Sequence, residues 1–426
     1  MLDLSLEPWV TDMKDGKRLK ILYIHQYFTT REGSSGTRSY EFSKYLISQN
    51  HRVTMVSGIS GLKHIKCLNR KKLILKINIE GIDTIVININ YSNYMGFIRR
   101  IWAFFLFMVL STYVCVRAKK HDLVFASSTP LTVGIPGVIA SKIGRIPFIF
   151  ELRDLWPEFA VAFGALKNKF LIKIFEILEY YIYRNARKIV VISKWIQKRL
   201  IEKKISADKL TFIPIGADIS LFVPSPKENC FRAELELSGK FVVLYVGAHG
   251  KVNDLRRILD AAIKLKQRND IVFIFVGDGK EKSDLVKQSE KYQLKNVIFL
   301  DAMPRLELPK IIAAADVCLI SGKNTYAVKA SFSNKLFDYL STGRPTLINF
   351  DSDTSILLEK HQAGISVEPD NPKAMAGMIL KLKDNPKWCE EMGKNARRLA
   401  EKKFDRIKLA EKLESTFKEV INAKNN

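Results

Sequence analysis

The chain has 426 residues, 47% of them hydrophobic, and carries 69 Lys and Arg against 44 Asp and Glu for a net charge of +25. That length is too great for one ordinary core and fits two domains of about 200 residues each, which the apolar share can fill. The five cysteines (Cys67, Cys115, Cys230, Cys318, Cys389) are scattered, with no CxxC pair and no Cys/His cluster, so neither a disulfide framework nor a zinc site is indicated and a reducing cytosol fits best.

The charge is uneven. Residues 1–225 hold 34 Lys and Arg against 17 Asp and Glu, and the remainder holds 35 against 27. Such a field favours an anionic partner: nucleic acid, an acidic membrane surface or a phosphorylated substrate. Charge does not choose among them.

Residues 1–18 place acidic residues and Pro8 where a signal peptide needs Lys or Arg and a long apolar run, and read as a loose extension. The first strand-like run, Lys20–Phe28, leads into Thr29–Arg38. There Gly33 and Gly36 let backbone approach an anion and Arg38 opens a helix; the other reading is a flexible loop with a Ser/Thr cap. The Gly-x-Gly-x-x-Gly spacing of a dinucleotide site is absent. A second run, Arg52–Gly58, precedes a hairpin predicted around Glu80–Asp83.

The apolar run Ile101–Val116 is flanked by Arg99, Arg100, Arg117, Lys119 and Lys120. As a helix it would be roughly 24 Å long, short of the ~30 Å hydrocarbon core. It reads either as a buried helix of the first domain or as one whose outer side touches lipid while its basic flanks meet headgroups.

Next come strands at Asp122–Ser128 and Pro147–Arg153, each with a loop of interest. Ser127 and Ser128 either contact an acceptor or cap the following helix. The second loop holds Arg153, Asp154, Trp156 and Glu158. Trp156 offers a flat platform and Asp154 or Glu158 a base, unless this is a salt-bridged strand end with a half-buried Trp. Strands at Lys188–Ser193 and Leu210–Gly216 complete the first half, and Pro224–Asn229 reads as a linker.

The alternation restarts with Phe241–Gly247, Ile271–Gly277, Val297–Ala302, Val317–Ser321, Pro345–Phe350 and Gly364–Glu368. After the first of these, Gly247, Gly250 and Lys251 could cradle a diphosphate, with His249 an ordinary loop histidine. Asp278 and Gly279 form another tight turn, and the Ala302 backbone could meet a base edge.

The segment Ser331–Pro345 is the most informative. It sets Ser333, Asn334 and Lys335 on the first turn of a helix, where free N–H groups favour phosphate, and Asp338 on the same face as Lys335. A cation for phosphate and a carboxylate for sugar hydroxyls suggest a sugar-nucleotide pocket. Beyond Pro372 the chain is helical, with breaks expected at Pro386 and near Phe404–Asp405. Strands alternating with helices predict an α/β protein of two doubly wound domains. The boundaries are 19–220 and 221–404, with 405–426 as a helix packing back toward the first domain.

These features together resemble the GT-B fold, in which two Rossmann-like domains face each other across a cleft. More narrowly the chain resembles retaining glycosyltransferases of family 4, in the branch of O-antigen and capsule sugar transferases that includes putative fucosamine transferases. The residues that carry the likeness are His25–Phe28, Ser127–Pro130, Arg153–Glu158, Ile215–Asp218 before Phe222, and Ser333–Tyr339 before Gly343–Pro345.

The resemblance implies that the second half holds a nucleotide diphosphate sugar, UDP-linked, through Gly247, Gly250, Lys251, Asp278, Gly279, Ala302, Ser333, Asn334, Lys335, Leu336 and Asp338, with Gly36 reaching from the first half. It implies an acceptor near Ser127, Ser128, Trp156 and Glu158, chemistry at Arg153, Asp154, Lys335 and Asp338, and no metal or other cofactor. The expected acceptor is a glycan, or one linked to undecaprenyl diphosphate, at the anionic cytoplasmic face of the membrane. The sequence departs from the family pattern in three places, one being that of an Arg and a Lys common after the first strand of the second domain only Lys251 remains. The first acidic position of its Glu-x7-Glu motif falls on Ala330, and the customary His is replaced by Arg153 or Asp154. The rival readings are a non-hydrolysing sugar-nucleotide epimerase and a basic nucleic-acid-binding protein. Against the latter stand the absence of a Cys/His finger and of basic repeats with interleaved aromatics.

Overall fold

The computed structural model describes residues 18–425, apart from 67, 69, 70, 93, 119, 326, 327 and 329–331. The expected extension before Arg18, together with Cys67, Ala330 and Ser331, lies outside the described residues.

The first sheet has eight strands in the order β3-β4-β2-β1-β5-β6-β7-β8. In chain order they are β1 (Lys20–Ile24), β2 (Arg52–Gly58), β3 (Ile74–Ile79), β4 (Ile82–Ile87), β5 (Leu123–Ser127), β6 (Phe148–Leu152), β7 (Lys188–Val191) and β8 (Leu210–Phe212). Only β3 runs antiparallel among these pairings, against β4 through the turn at Glu80–Gly81, where both residues take positive φ. The second sheet is wholly parallel, in the order β11-β10-β9-β12-β13-β14. Its members are β9 (Phe241–Val246), β10 (Ile271–Val276), β11 (Val297–Leu300), β12 (Val317–Ile320), β13 (Thr346–Ile348) and β14 (Gly364–Ser366). Helices cover both faces of each sheet, so β5, β6, β9 and β10 are buried at every position and, apart from Ser127 and Glu151, read as apolar runs.

Five helices of the first domain are α1 (Arg38–Ser48), α2 (Phe97–Arg117), α3 (Gly134–Gly144), α4 (Glu158–Ala162) and α5 (Lys169–Asn185). Helices α2, α3 and α5 pack on one face of the sheet, with Phe107, Val138 and Ile182 in one apolar cluster. On the other face α1 meets the C-terminal helix Arg406–Asn425, which inserts Leu413 and Phe417 beneath β1 and β5. The Phe417 ring lies 5.1 Å from that of Phe125. The last helix of the chain therefore stabilises the first domain.

Helix α2 is longer than the apolar run suggested. Its 21 residues, at ~1.5 Å each, come to about 31 Å, because Arg99, Arg100 and Arg117 are themselves good helix formers and extend it. Its length and hydropathy would suffice to cross a membrane. One face is nonetheless built into the domain: Phe107 and Ser111 are fully buried.

Candidate active site

Parallel sheets bind ligands beyond their carboxyl ends, where the strand order reverses. Here those points are β1/β5 in the first sheet and β9/β12 in the second. The loops from both sheets enclose a cleft of about 720 Å³, lined by His25, Gly36, Thr129, Arg153, Asp154 and Trp156 from one side and by Gly247, Asn253, Arg305, Asn334, Lys335 and Asp338 from the other. The walls touch. The Arg305 N–H donates to the Gly33 carbonyl at 3.0 Å, and the Tyr94 hydroxyl donates to Asp278 Oδ1 at 2.7 Å.

The helix Asn334–Thr342 begins at Ser333, whose extended backbone suits an N-cap but whose side chain makes no capping bond. Ser333 Oγ and Asn334 Oδ1 are buried without a partner. Both residues line the cleft, so the helix start presents polar groups that the protein itself leaves unused. Lys335 Nζ donates to Tyr245 Oη at 3.1 Å and Asn253 Oδ1 at 3.0 Å, and lies 4.6 Å from the centre of the Tyr245 ring. No carboxylate pairs with it among the described residues. Burial pushes its amine down to about 8. Gly247, at φ +149°, makes room for this amine: a Cβ there would stand 3.1 Å from Lys335 Cε.

Asp338 is turned to another partner. Both its oxygens accept from Arg305, at 3.0 and 2.6 Å, in a pair of which each side chain is almost fully buried. Across the cleft, Gly36 packs so closely on the Asn334 amide that a Cβ would lie 2.5 Å from Nδ2.

On the first-domain wall, Arg153 NH1 lies 3.3 Å from His25 Nε2 and Ser39 Oγ lies 2.7 Å from His25 Nδ1. An arginine can only donate, so Nε2 accepts and the imidazole proton sits on Nδ1, pointing at Ser39. Burial, then the neighbouring Arg153 charge, holds His25 well below its ordinary pKa and therefore neutral. Thr129 donates to Asp154 Oδ2 at 2.6 Å, and Trp156 packs against Phe175 with ring centres 5.6 Å apart.

Several expected residues are placed elsewhere. Glu158 is held by Arg199 and Lys203, at 3.4 and 2.9 Å, outside the residues that line the cleft. Ser127 and Ser128 are buried and face inward, Ser127 donating to the Glu151 carboxylate and Ser128 Oγ accepting from the Arg153 N–H at 2.9 Å. They shape the loop. Gly250, Lys251, Asp278, Gly279 and Ala302 are likewise absent from the lining, and Lys251, Asp278 and Ala302 are exposed. Leu336 is wholly buried, leaving its backbone as the only part able to meet a ligand. Arg38 does not meet an anion from outside: it pairs with Glu151 at 2.8 Å and donates to the Ile213, Pro214 and Ile215 carbonyls. Among the described residues no three His, Cys, Asp or Glu side chains cluster as metal ligands.

Other cleft residues were not singled out from the sequence. Arg305 is 33 positions from its partner Asp338, and only its place just after a strand-end loop hinted at a role. Tyr27, Tyr91 and Phe104 form an aromatic rim, with centroid distances of 5.1 and 5.5 Å, that no spacing connects.

Two Rossmann-like sheets meeting at a cleft are the GT-B architecture. Residues 33–216 match the family described as "Glycosyl transferase 4-like domain" and residues 226–399 that described as "Glycosyl transferases group 1". The chain belongs to these glycosyltransferases. It is 24% identical over 286 residues, 66% of this chain and 70% of the relative, to a probable glycosyltransferase, WbjE, of Pseudomonas aeruginosa. It is 21% identical, over 74% of this chain and 79% of the relative, to the UDP-Gal:alpha-D-GlcNAc-diphosphoundecaprenol alpha-1,3-galactosyltransferase of Escherichia coli. The crystal structure of Anabaena HepE in complex with UDP-glucose superposes with a TM-score of 0.71 at 18% identity, covering 94% of this chain and all of that one.

Proposed function

We propose that this glycosyltransferase moves a hexose or amino-hexose, with retention, from a UDP-sugar to a lipid-linked glycan during synthesis of a bacterial surface polysaccharide, with no further cofactor. The observation that carries the reading is Lys335: an amine with no carboxylate partner among the described residues, beside an uncapped helix start, in the cleft between the domains. Those groups would receive the donor's diphosphate, each charge-assisted bond contributing about 1.5–3 kcal/mol. Arg153, Asp154 and Trp156 would meet the acceptor on the opposite wall.

In the reaction the bond from the anomeric carbon to the diphosphate oxygen breaks, and the acceptor oxygen attacks from the same face. The acceptor's proton passes to the departing diphosphate. Such a step needs no protein base, which suits a wall whose histidine is neutral and already accepts from Arg153. UDP as the carrier is supported by the likeness to HepE, whose structure contains UDP-glucose, and the lipid acceptor by the diphosphoundecaprenol named for the Escherichia coli relative. The basic first half and α2 support action at the inner membrane surface.

Thermal denaturation with UDP, GDP, ADP and dTDP tests the donor: at 100 times its dissociation constant the true nucleotide stabilises the fold by about 2.7 kcal/mol. Radiolabelled UDP-sugars with undecaprenyl-diphosphate-linked acceptors test the transfer. No transfer from any nucleotide sugar, or an epimerised nucleotide sugar formed from donor alone, would overturn the reading.

A further inference from the structure

The outer surface of the first domain is apolar where a surface helix is ordinarily polar. Along α2 the side chains Ile98, Trp102, Phe105, Val109, Tyr113 and Val116 recur at helical spacing and are all exposed, Ile98 by 72% and Trp102 by 59%. Along α5 the same holds for Phe170, Ile174, Ile177 and Tyr180, with Phe170 exposed by 74%. More than half of the large hydrophobic side chains exposed among the described residues sit on these two helices.

The two stripes lie on one side of the sheet. The crossovers β4 to β5, β5 to β6 and β6 to β7 all step in the same direction along it, so α2, α3 and α5 share a face. Helix α3 lies between, in contact with both. From residue 84 to residue 150 the chain has one carboxylate, Asp122, against Arg99, Arg100, Arg117, Lys119, Lys120, Lys142 and Arg145. On α5 the exposed Glu176 is paired with Lys173 at 3.3 Å, beside the exposed Lys169 and Arg184. An apolar face with basic margins is complementary to hydrocarbon edged by anionic headgroups.

We propose that α2 and α5 together form a platform that seats the first domain on an anionic phospholipid bilayer, with Trp102 and Phe170 inserted below the headgroups. The platform adjoins the cleft on both flanks. Phe104 and Arg100 of α2 line its mouth, and Phe175 of α5 packs against Trp156 in its wall. A sugar acceptor on an isoprenoid diphosphate held in the bilayer would then reach the cleft along this face without leaving the membrane. This placement of the acceptor rests on the proposed function; the seating itself does not.

The test is vesicle flotation of the full chain at low salt. Vesicles of phosphatidylethanolamine with phosphatidylglycerol are expected to carry the protein, and vesicles of phosphatidylcholine alone to carry much less. Trp102→Glu and Phe170→Glu are each expected to weaken binding about tenfold or more, while UDP still raises the melting temperature as it does for the parent. Failure of the parent to float, flotation unchanged in both variants, or a dimer that either substitution dissociates would overturn the platform. Flotation without transfer to any lipid-linked acceptor would overturn the functional reading and leave the platform standing; transfer in detergent by a protein that never floats would do the reverse.

Discussion

Lys335 pairs with two neutral oxygens and an aromatic ring, so its charge is left for a ligand. Lys335→Met is expected to raise the dissociation constant for UDP about tenfold to a hundredfold, read by calorimetric titration, given ~1.5–3 kcal/mol for a charge-assisted bond. Because burial holds this amine at about 8 in the empty site, UDP affinity should be flat below that pH and fall as pH rises through it. Lys335→Arg, which stays charged, should abolish the decline. The same depression means that the unfolded chain binds more protons between about 8 and the ordinary lysine value, so the empty protein gains stability across that window as pH rises. Asp338 behaves differently. Asp338→Ala would strand the buried Arg305 guanidinium and cost about 3–5 kcal/mol, so melting must be measured beside donor affinity. Adding Arg305→Met should restore part of the lost melting temperature. Glu158 shows why a sequence can mislead at this scale: a carboxylate near an aromatic at a strand end reads as a site, and only Arg199 and Lys203, some forty positions later, reveal a structural pair.

Among the elements, the C-terminal helix binds the two domains into one unit. It follows the second domain in the chain, yet Phe417 and Leu413 are fully buried in the first, and Glu414 accepts from Tyr45 at 2.9 Å. Phe417→Ala is expected to destabilise the protein by about 3–5 kcal/mol, and urea titration should show the first domain losing most. Strand positions were largely legible because a strand buried on both faces must be apolar throughout. The ends of α2 were not, since its terminal turns are basic and helix propensity there is blind to charge. Its exposed stripe was no more legible, because an apolar run does not say which of its faces a sheet will cover.

For the molecule as a whole, the decisive contact is between the domains. Gly36 of one meets Asn334 of the other at a distance that leaves no space for a methyl group. Gly36→Ala is therefore expected to keep the melting temperature while lowering kcat/KM about tenfold to a hundredfold, the scale on which an ångström of misplacement acts. Steady-state kinetics beside a thermal melt check both halves of that expectation.

By itself the sequence determined the α/β class, the two series of alternating strands and helices, and the lysine at the helix start. Each follows from local periodicity or local chemistry: apolar runs, turn residues, and a cation placed where backbone N–H groups are free. Only the tertiary structure decided which charges remain unspent. Arg38 and Glu151, Arg305 and Asp338, and Glu158 with Lys203 are all consumed in pairs between distant segments, while Lys335 is not. An ion pair depends on a separation in space that no spacing along the chain encodes, and so does the outward turn of the apolar face of α2.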